Sequence, residues 1–293
     1  MDRRTELTAF LRSRRARIHP DDAGVRTFGD RRRVPGLRRE ELAWLAGIGT
    51  DYYVRLEQGR NGTVSADVLD ALARALKLAE VERVHLHNLA RPARRPPRRG
   101  AEEVAPGLQR LLDTMGEVPA YVVGRGTDVL AWNRPARLVF ADFAALPPER
   151  RNMARLVFLD PATRELYRDW EVKARDVIAR LRLDLGRCPD DVILSALIVE
   201  LLGRSPDFHE LWADQDVLDK THGTYRLRHP RFGGCALAYR ALRLPEEPDQ
   251  LLVTYTVEPG SSLETALRHD RVRQPEPGRP VDPLHDQPSR TRA

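Results

Sequence analysis

Residues 37–60, LRREELAWLAGIGTDYYVRLEQGR, decide how this chain is read. The spacing predicts a first short helix from about Arg38 to Ala46, with Leu42, Leu45 and Ala46 on one face. Glu40 and Glu41 fall in its first turn, where the helix dipole favours negative charge. Gly47-Ile48-Gly49 supplies a turn tolerant of positive φ around one apolar plug, and a second helix restarts at Thr50 with Tyr53 and Leu56 turned inward. Thr50, Asp51, Tyr52 and Arg55 are left on its outer face. Two helices joined in this way make a helix-turn-helix, whose second helix fits the major groove of double-stranded DNA. Arg55 is the residue placed to read a base edge, with Arg39, Arg60 and Asn61 as further DNA contacts. An ordinary helical hairpin is the alternative for this stretch taken alone.

Charge favours the first reading. Residues 1–100 hold 22 Lys plus Arg against 13 Asp plus Glu, a net of +9, whereas residues 101–293 hold 27 against 30, a net of −3. A basic module joined to a mildly acidic one is expected when only the first must meet a polyanion. Arginine outnumbers lysine throughout, but Ala, Leu and Pro are abundant too, so the uneven placement of the basic residues carries the argument rather than their identity. At 293 residues the chain is long enough for two domains, each with its own core.

The helical pattern extends to both sides of the hairpin. Leu7, Phe10 and Leu11 mark a first, Arg-rich helix; Ser65 caps one bearing Val68, Leu69, Leu72, Ala73 and Leu76; a fifth carries Val81, Val84 and Leu89. Residues 1–90 therefore read as an all-α, five-helix domain. Between its first two helices lies a polar stretch with Arg31-Arg32-Arg33, either a solvated loop or a phosphate-contacting arm. The run RPARRPPRRG opens a Pro/Arg-rich linker over residues 91–105. At the far end, residues 270–293 contain five prolines and no apolar periodicity, and read as a disordered tail.

Residues 106–269 read as α+β. Tyr121 to Val123 and Val129 to Trp132 form a hairpin, and Asn133 caps the helix after it. Asp160-Pro161 opens a long helix marked by Leu166, Trp170, Ala174, Val177, Ile178 and Leu181 and stopped by Gly186. Another apolar helix runs from Asp190 to about Gly203, SPDFHELW adds a shorter one, and strands follow at 224–229, 235–242 and 251–257. Two strands, a helical middle and three strands is the order of a PAS-like domain with an antiparallel sheet.

Taken together, PGLRREELAWLAGIGTDYYVRLEQGR, VLDALARAL, LAWNRPARLVFADF, FLDPATRELYRDWE, SPDFHELWADQDV, RHPRFGG and LLVTYTVEPGS resemble one family. It comprises bacterial regulators that join an Xre-type helix-turn-helix to an MmyB-like ligand-binding domain. The resemblance spans about Glu6 to Leu267. It implies a transcription regulator whose second domain holds a fatty-acid-like molecule. Four positions depart from the family pattern: Gly49 replaces a capping serine, Arg39 a phosphate-binding glutamine, Val64 a proline and Gln215 a histidine. The last weakens any ligand role carried over to that position.

No catalytic constellation is present. His209-Glu210 lacks the second histidine of a zinc-protease helix, and there is no G-x-S-x-G, P-loop or strand-linked G-x-G-x-x-G. The expectation is a protein that is not an enzyme, with no catalytic residue, metal site or cofactor beyond a bound fatty acid acting as effector. The N-terminal MDRRTELTAFLRSRRARIHP lacks a signal-peptide core and no run of eighteen apolar residues occurs, so a cytoplasmic protein without membrane insertion is expected. Cys188 and Cys235 read as free thiols. For the effector, the aromatic residues Tyr121, Trp132, Phe140, Phe143, Phe158, Trp170, Trp212, Tyr239 and Tyr255 are expected around an apolar cavity, although plain core is the alternative for each. Arg155, Arg228 and His229 are candidate carboxylate partners, and Ala236 or Ala238 is expected to face the cavity. The partners implied are double-stranded DNA, a small apolar effector and a second copy of the chain, since a dimer reads half-sites about 34 Å apart. A second domain serving only dimerisation or protein docking is the alternative.

Overall fold

The computed structural model describes residues 3–25, 36–60, 62–91 and 102–272. The expectations for Arg31 to Arg33, for Asn61, for most of the linker and for most of the tail lie outside them. Among the described residues five α-helices form the N-terminal bundle: α1 (Arg3–Arg17), α2 (Arg39–Leu45), α3 (Thr50–Glu57), α4 (Ala66–Ala75) and α5 (Glu80–Ala90). Their inward residues Phe10, Leu11, Leu37, Leu42, Tyr53, Leu56, Leu69, Leu72 and Leu86 are buried in one core. Gly47 ends the α2 turn at φ 66°, and the Ser65 hydroxyl accepts from the Val68 N–H at the start of α4. One inward assignment fails: Val84 is 44% exposed, because α5 turns His85, Leu86 and Leu89 to the core instead.

The second domain begins with α6 (Pro106–Thr114), then β1 (Ala120–Val123), β2 (Val129–Trp132), α7 (Arg134–Val139) and α8 (Met153–Leu159). There follow α9 (Pro161–Leu166), α10 (Trp170–Arg187), α11 (Val192–Arg204) and α12 (Pro206–Ala213). The chain then returns as β3 (His222–His229), β4 (Gly233–Arg243), β5 (Leu251–Val257) and α13 (Ser262–Val272). The strands make one antiparallel sheet in the order β2-β1-β5-β4-β3. The helical middle covers one face. On the other, α6 packs Leu112 against Ala120, Val122, Ala131 and Leu252, so all of β1 is buried on both faces.

The long helix expected after Pro161 is two helices. Tyr167 leaves the first to bridge Leu227 of β3, and the Arg168 N–H donates to the Arg226 carbonyl at 2.8 Å. A tertiary strand-like contact thus overrides a helical pattern that runs unbroken through the sequence. Neither α6 nor α13 was anticipated; α13 reaches into the stretch expected to be tail. Cys188 and Cys235 are buried free thiols.

Gly186 does not stop α10, which runs on to Arg187; it lets α10 approach α5. A Cβ at this position would stand 2.6 Å from His85 Nδ1. Beside it, Arg182 is fully buried and reaches the first domain through Glu6 Oε2 at 3.1 Å. The same guanidinium donates to Gln215 Oε1 and to the Trp212 carbonyl, each at 2.6 Å, and lies over the Trp212 ring. The segment after α12 closes the junction. The Gln215 carbonyl accepts from Arg14 at 2.6 Å, Asp216 pairs with Arg17 at 2.8 Å, and Val217 is buried in the N-terminal core together with Leu183 of α10.

Two measurements probe this junction. Burial, reinforced by the charges of Arg182 and Arg14, pushes His85 down to about 3 from an ordinary 6.5. The ring stays neutral in the folded chain while the unfolded chain protonates it. Its stability contribution is therefore present above pH 6.5 and lost as the pH falls toward 3, by up to about tenfold in the folding equilibrium per pH unit. Urea midpoints should fall with acidification over that window, and His85→Phe should flatten the slope; identical slopes in both proteins would refute the assignment. In a helix interior, Ala ordinarily stabilises by about 1 kcal/mol over Gly. Gly186→Ala should instead lower Tm, since its methyl group meets the His85 ring.

Candidate DNA-reading face and ligand cavity

The outer face of α3 presents Thr50, Asp51 and Arg55 to solvent, with Tyr52 half-buried and Arg60 exposed just beyond the helix. Among the described residues the Arg55 guanidinium has no hydrogen bond or ion pair. The inner face is held by Glu57, which is fully buried. Its carboxylate accepts from the Tyr53 hydroxyl at 2.6 Å, from Arg15 at 2.9 and 3.2 Å and from Arg39 Nε at 2.8 Å. Burial opposes its ionisation, but the hydrogen bonds from Arg15, Tyr53 and Arg39 outweigh burial and hold its pKa below the usual carboxylate range. This anchor fixes α1, α2 and α3 to one another. Arg15 extends it by donating to the Leu37 carbonyl at 2.6 Å, at the entry to α2.

A cavity of about 100 Å³ lies between α10 and the inner face of the sheet. Tyr121, Tyr225, Tyr239 and Tyr255 form much of its wall, with Val177, Leu183, Ala241 and Val253. The hydroxyls of Tyr121 and Tyr255 are 2.6 Å apart, and the rings of Tyr225 and Tyr239 stack at 4.7 Å. Both of the stacked tyrosines donate to Asp176 Oδ2, at 2.8 and 3.1 Å, while Lys220 Nζ lies 2.7 Å from Oδ1. Burial, and then the Asp176 charge, push the Tyr239 hydroxyl up to about 12, so it remains a donor at neutral pH.

The profile of a helix-turn-helix domain matches residues 6–86, and that of the MmyB-like transcription regulator ligand binding domain matches residues 104–269. The second match alone covers more than half of the chain. The chain belongs to the MmyB-like transcription regulators. Comparison with curated proteins finds no match.

In this MmyB-like regulator the aromatic residues expected around a cavity divide into three groups. Tyr121, Tyr239 and Tyr255 line it. Trp132, Phe140 and Phe143 pack behind them in the core, Phe140 lying 4.6 Å from the Tyr255 ring. Phe158, Trp170 and Trp212 belong to a separate aromatic group built on Phe208, with Trp212 beneath Arg182 at the domain junction. The three carboxylate partners are all displaced. Arg155 pairs with Glu200 at 2.7 Å, Arg228 lies on the exposed face of β3, and His229 is bonded to the Leu138 carbonyl at 3.0 Å. Ala236 and Ala238 face away because strand alternation turns Cys235, Leu237 and Tyr239 inward; Ala241 lines the cavity instead.

Sequence reasoning missed Tyr225, Lys173, Asp176 and Lys220. The signal for the first was alternation with Leu227; Lys173 and Asp176 lie off the apolar stripe of α10, and period alone gives no sign that the sheet covers them. Gln215 sits at the domain junction and not in the cavity. Among the described residues no group of three His, Cys, Asp or Glu side chains is placed to hold a metal ion, and no helix is long and apolar enough to cross a membrane.

Arg39 combines an anchoring bond with a side chain still 38% exposed. Arg39→Ala should therefore weaken binding to operator and random duplexes alike, and also lower Tm as Glu57 loses a partner. Arg55→Ala should leave Tm unchanged. It should weaken binding to the preferred operator by roughly 1–3 kcal/mol, as expected for a bidentate guanine contact, and relax discrimination there. Fluorescence anisotropy on both duplexes separates the two roles, and equal losses for Arg55→Ala would reduce it to a phosphate contact.

Proposed function

We propose that this protein is a one-component, sequence-specific DNA-binding regulator whose second domain senses an apolar, fatty-acid-like effector and which acts as a homodimer. It works by binding rather than by turning over a substrate, in the cytoplasm where its double-stranded DNA lies. Thr50, Asp51, Tyr52, Arg55, Arg60 and Asn61 are the residues assigned to the operator, with Arg39 supporting them. The effector site is the tyrosine-lined cavity.

One observation carries the coupling. Within the segment 214–220, Gln215, Asp216 and Val217 grip the DNA-binding domain while Leu218, Asp219 and Lys220 line the cavity. Leu183 of α10 likewise belongs to the cavity wall and to the N-terminal core. A ligand that moves the cavity wall thereby acts on the seating of the DNA-binding domain. In a dimer, that seating sets how easily two recognition helices reach successive major grooves. A differential affinity of about 1.4 kcal/mol between the two seatings is enough for a tenfold change in occupancy. Exposed Val192, Ile193 and Val199 on α11 favour a surface for self-association.

The test compares delipidated with acyl-loaded protein on a mapped operator. The two forms should differ in affinity or stoichiometry. Ala241→Trp should fill the cavity, abolish the response and leave the protein in one DNA-binding state while circular dichroism stays unchanged. Identical operator binding by empty and loaded protein would leave the second domain as a constitutive assembly module.

A further inference from the structure

The cavity carries one positive charge that its own side chains do not match. Three cations, Lys173, Arg180 and Lys220, and two carboxylates, Asp176 and Asp219, line it. Lys220 is taken by Asp176 at 2.7 Å. Asp219 accepts from Arg243 at 2.6 Å, and Arg180 is held by Asp184 and by the Asp249 carbonyl, each at 3.0 Å. That leaves Lys173, which is 5% exposed. Among the described residues its ammonium has no carboxylate and no hydrogen-bond acceptor; it meets only the ring faces of Tyr225 and Tyr167, at 4.9 and 5.6 Å. Two tyrosine faces are weak partners for a charge on a largely buried residue, and buried charges in proteins are ordinarily matched by an opposite one. Within the same tyrosine group the buried Tyr167 hydroxyl also lacks a hydrogen-bond partner among the described residues. An unmatched ammonium in an aromatic and aliphatic enclosure is complementary to a single anionic group.

Size narrows the rest of the ligand. The cavity volume of about 100 Å³ is of the same order as the roughly 150 Å³ that admits one benzene ring in an engineered protein cavity. We propose that the ligand is a compact hydrophobic monocarboxylate, a single-ring or short-chain acid, with Lys173 as its counter-ion. The proposal rests on the reading of the second domain as a ligand sensor and narrows it to one charge and one size.

Isothermal titration calorimetry of the full-length protein with benzoate, butanoate, dodecanoate and neutral benzamide tests it. Benzoate or butanoate should bind, with benzamide at least about tenfold weaker than benzoate. Lys173→Met keeps the apolar stem and should abolish the preference for benzoate over benzamide; Lys173→Arg should restore it. The comparison of benzoate with benzamide on unaltered protein stands even if a variant fails to fold. Equal binding of those two, or an unchanged preference in Lys173→Met, overturns the charge assignment, and binding confined to dodecanoate overturns the size. Absence of binding by all four overturns the proposal, whereas the sensor reading itself falls only if operator affinity is indifferent both to acyl loading and to saturating benzoate or butanoate.

Discussion

The buried ion pair between Arg182 and Glu6 sets the relation between the two halves of this molecule. Burial lowers the arginine pKa to about 10 and raises that of the glutamate, so both charges lie where water would suit them better. Such a pair is a weak source of net stability, since desolvation rivals the attraction it permits. Its effect is selective. A displaced arrangement of the domains strands one or both charges, and the Gln215 amide and Trp212 carbonyl then lose their donor. The neutral His85 ring sits in the same contact, against the space left by Gly186. Together these groups tolerate one docking geometry well and its neighbours poorly.

Local patterning made most of the fold legible. The α2-α3 turn could be read from Gly47 and Gly49, the start of α4 from Ser65, and the sheet from five alternating or apolar runs separated by turn residues. What stayed hidden was non-local. Leu166, Trp170 and Ala174 continue one helical stripe across the break between α9 and α10, because the cause of the break is Leu227, sixty residues further along the chain. Glu57 could not be recognised as an anchor for the same reason: the basic groups that justify burying it come from two other helices.

The candidate sites were legible to unequal degrees. On a recognition helix the outer residues are whatever the core does not use, so period alone placed Thr50, Asp51 and Arg55 on the surface. A cavity is different, because aromatic side chains have the same sequence signature whether they fill a core or surround a space. Tyr121, Tyr239 and Tyr255 surround one; Phe143 and Trp132 fill the volume behind them. The polar members of the site were hardest to see, since Lys173 and Asp176 sit in the same turns of α10 as the exposed Glu171 and the half-buried Arg175. Only the sheet folding over α10 encloses them.

The docking surface of the first domain is formed by α1 and α5, and the outer residues of α3 take no part in it. The domain junction and the outer face of α3 thus occupy separate surfaces of the same small bundle. A lineage could exchange Thr50, Asp51 or Arg55 and leave every contact of the domain junction in place. Conversely, substitution at Gln215 alters the junction without touching the outer face of α3. The Glu57 anchor makes that separation durable, because it fixes the backbone of α3 from within and leaves its outer face free to vary.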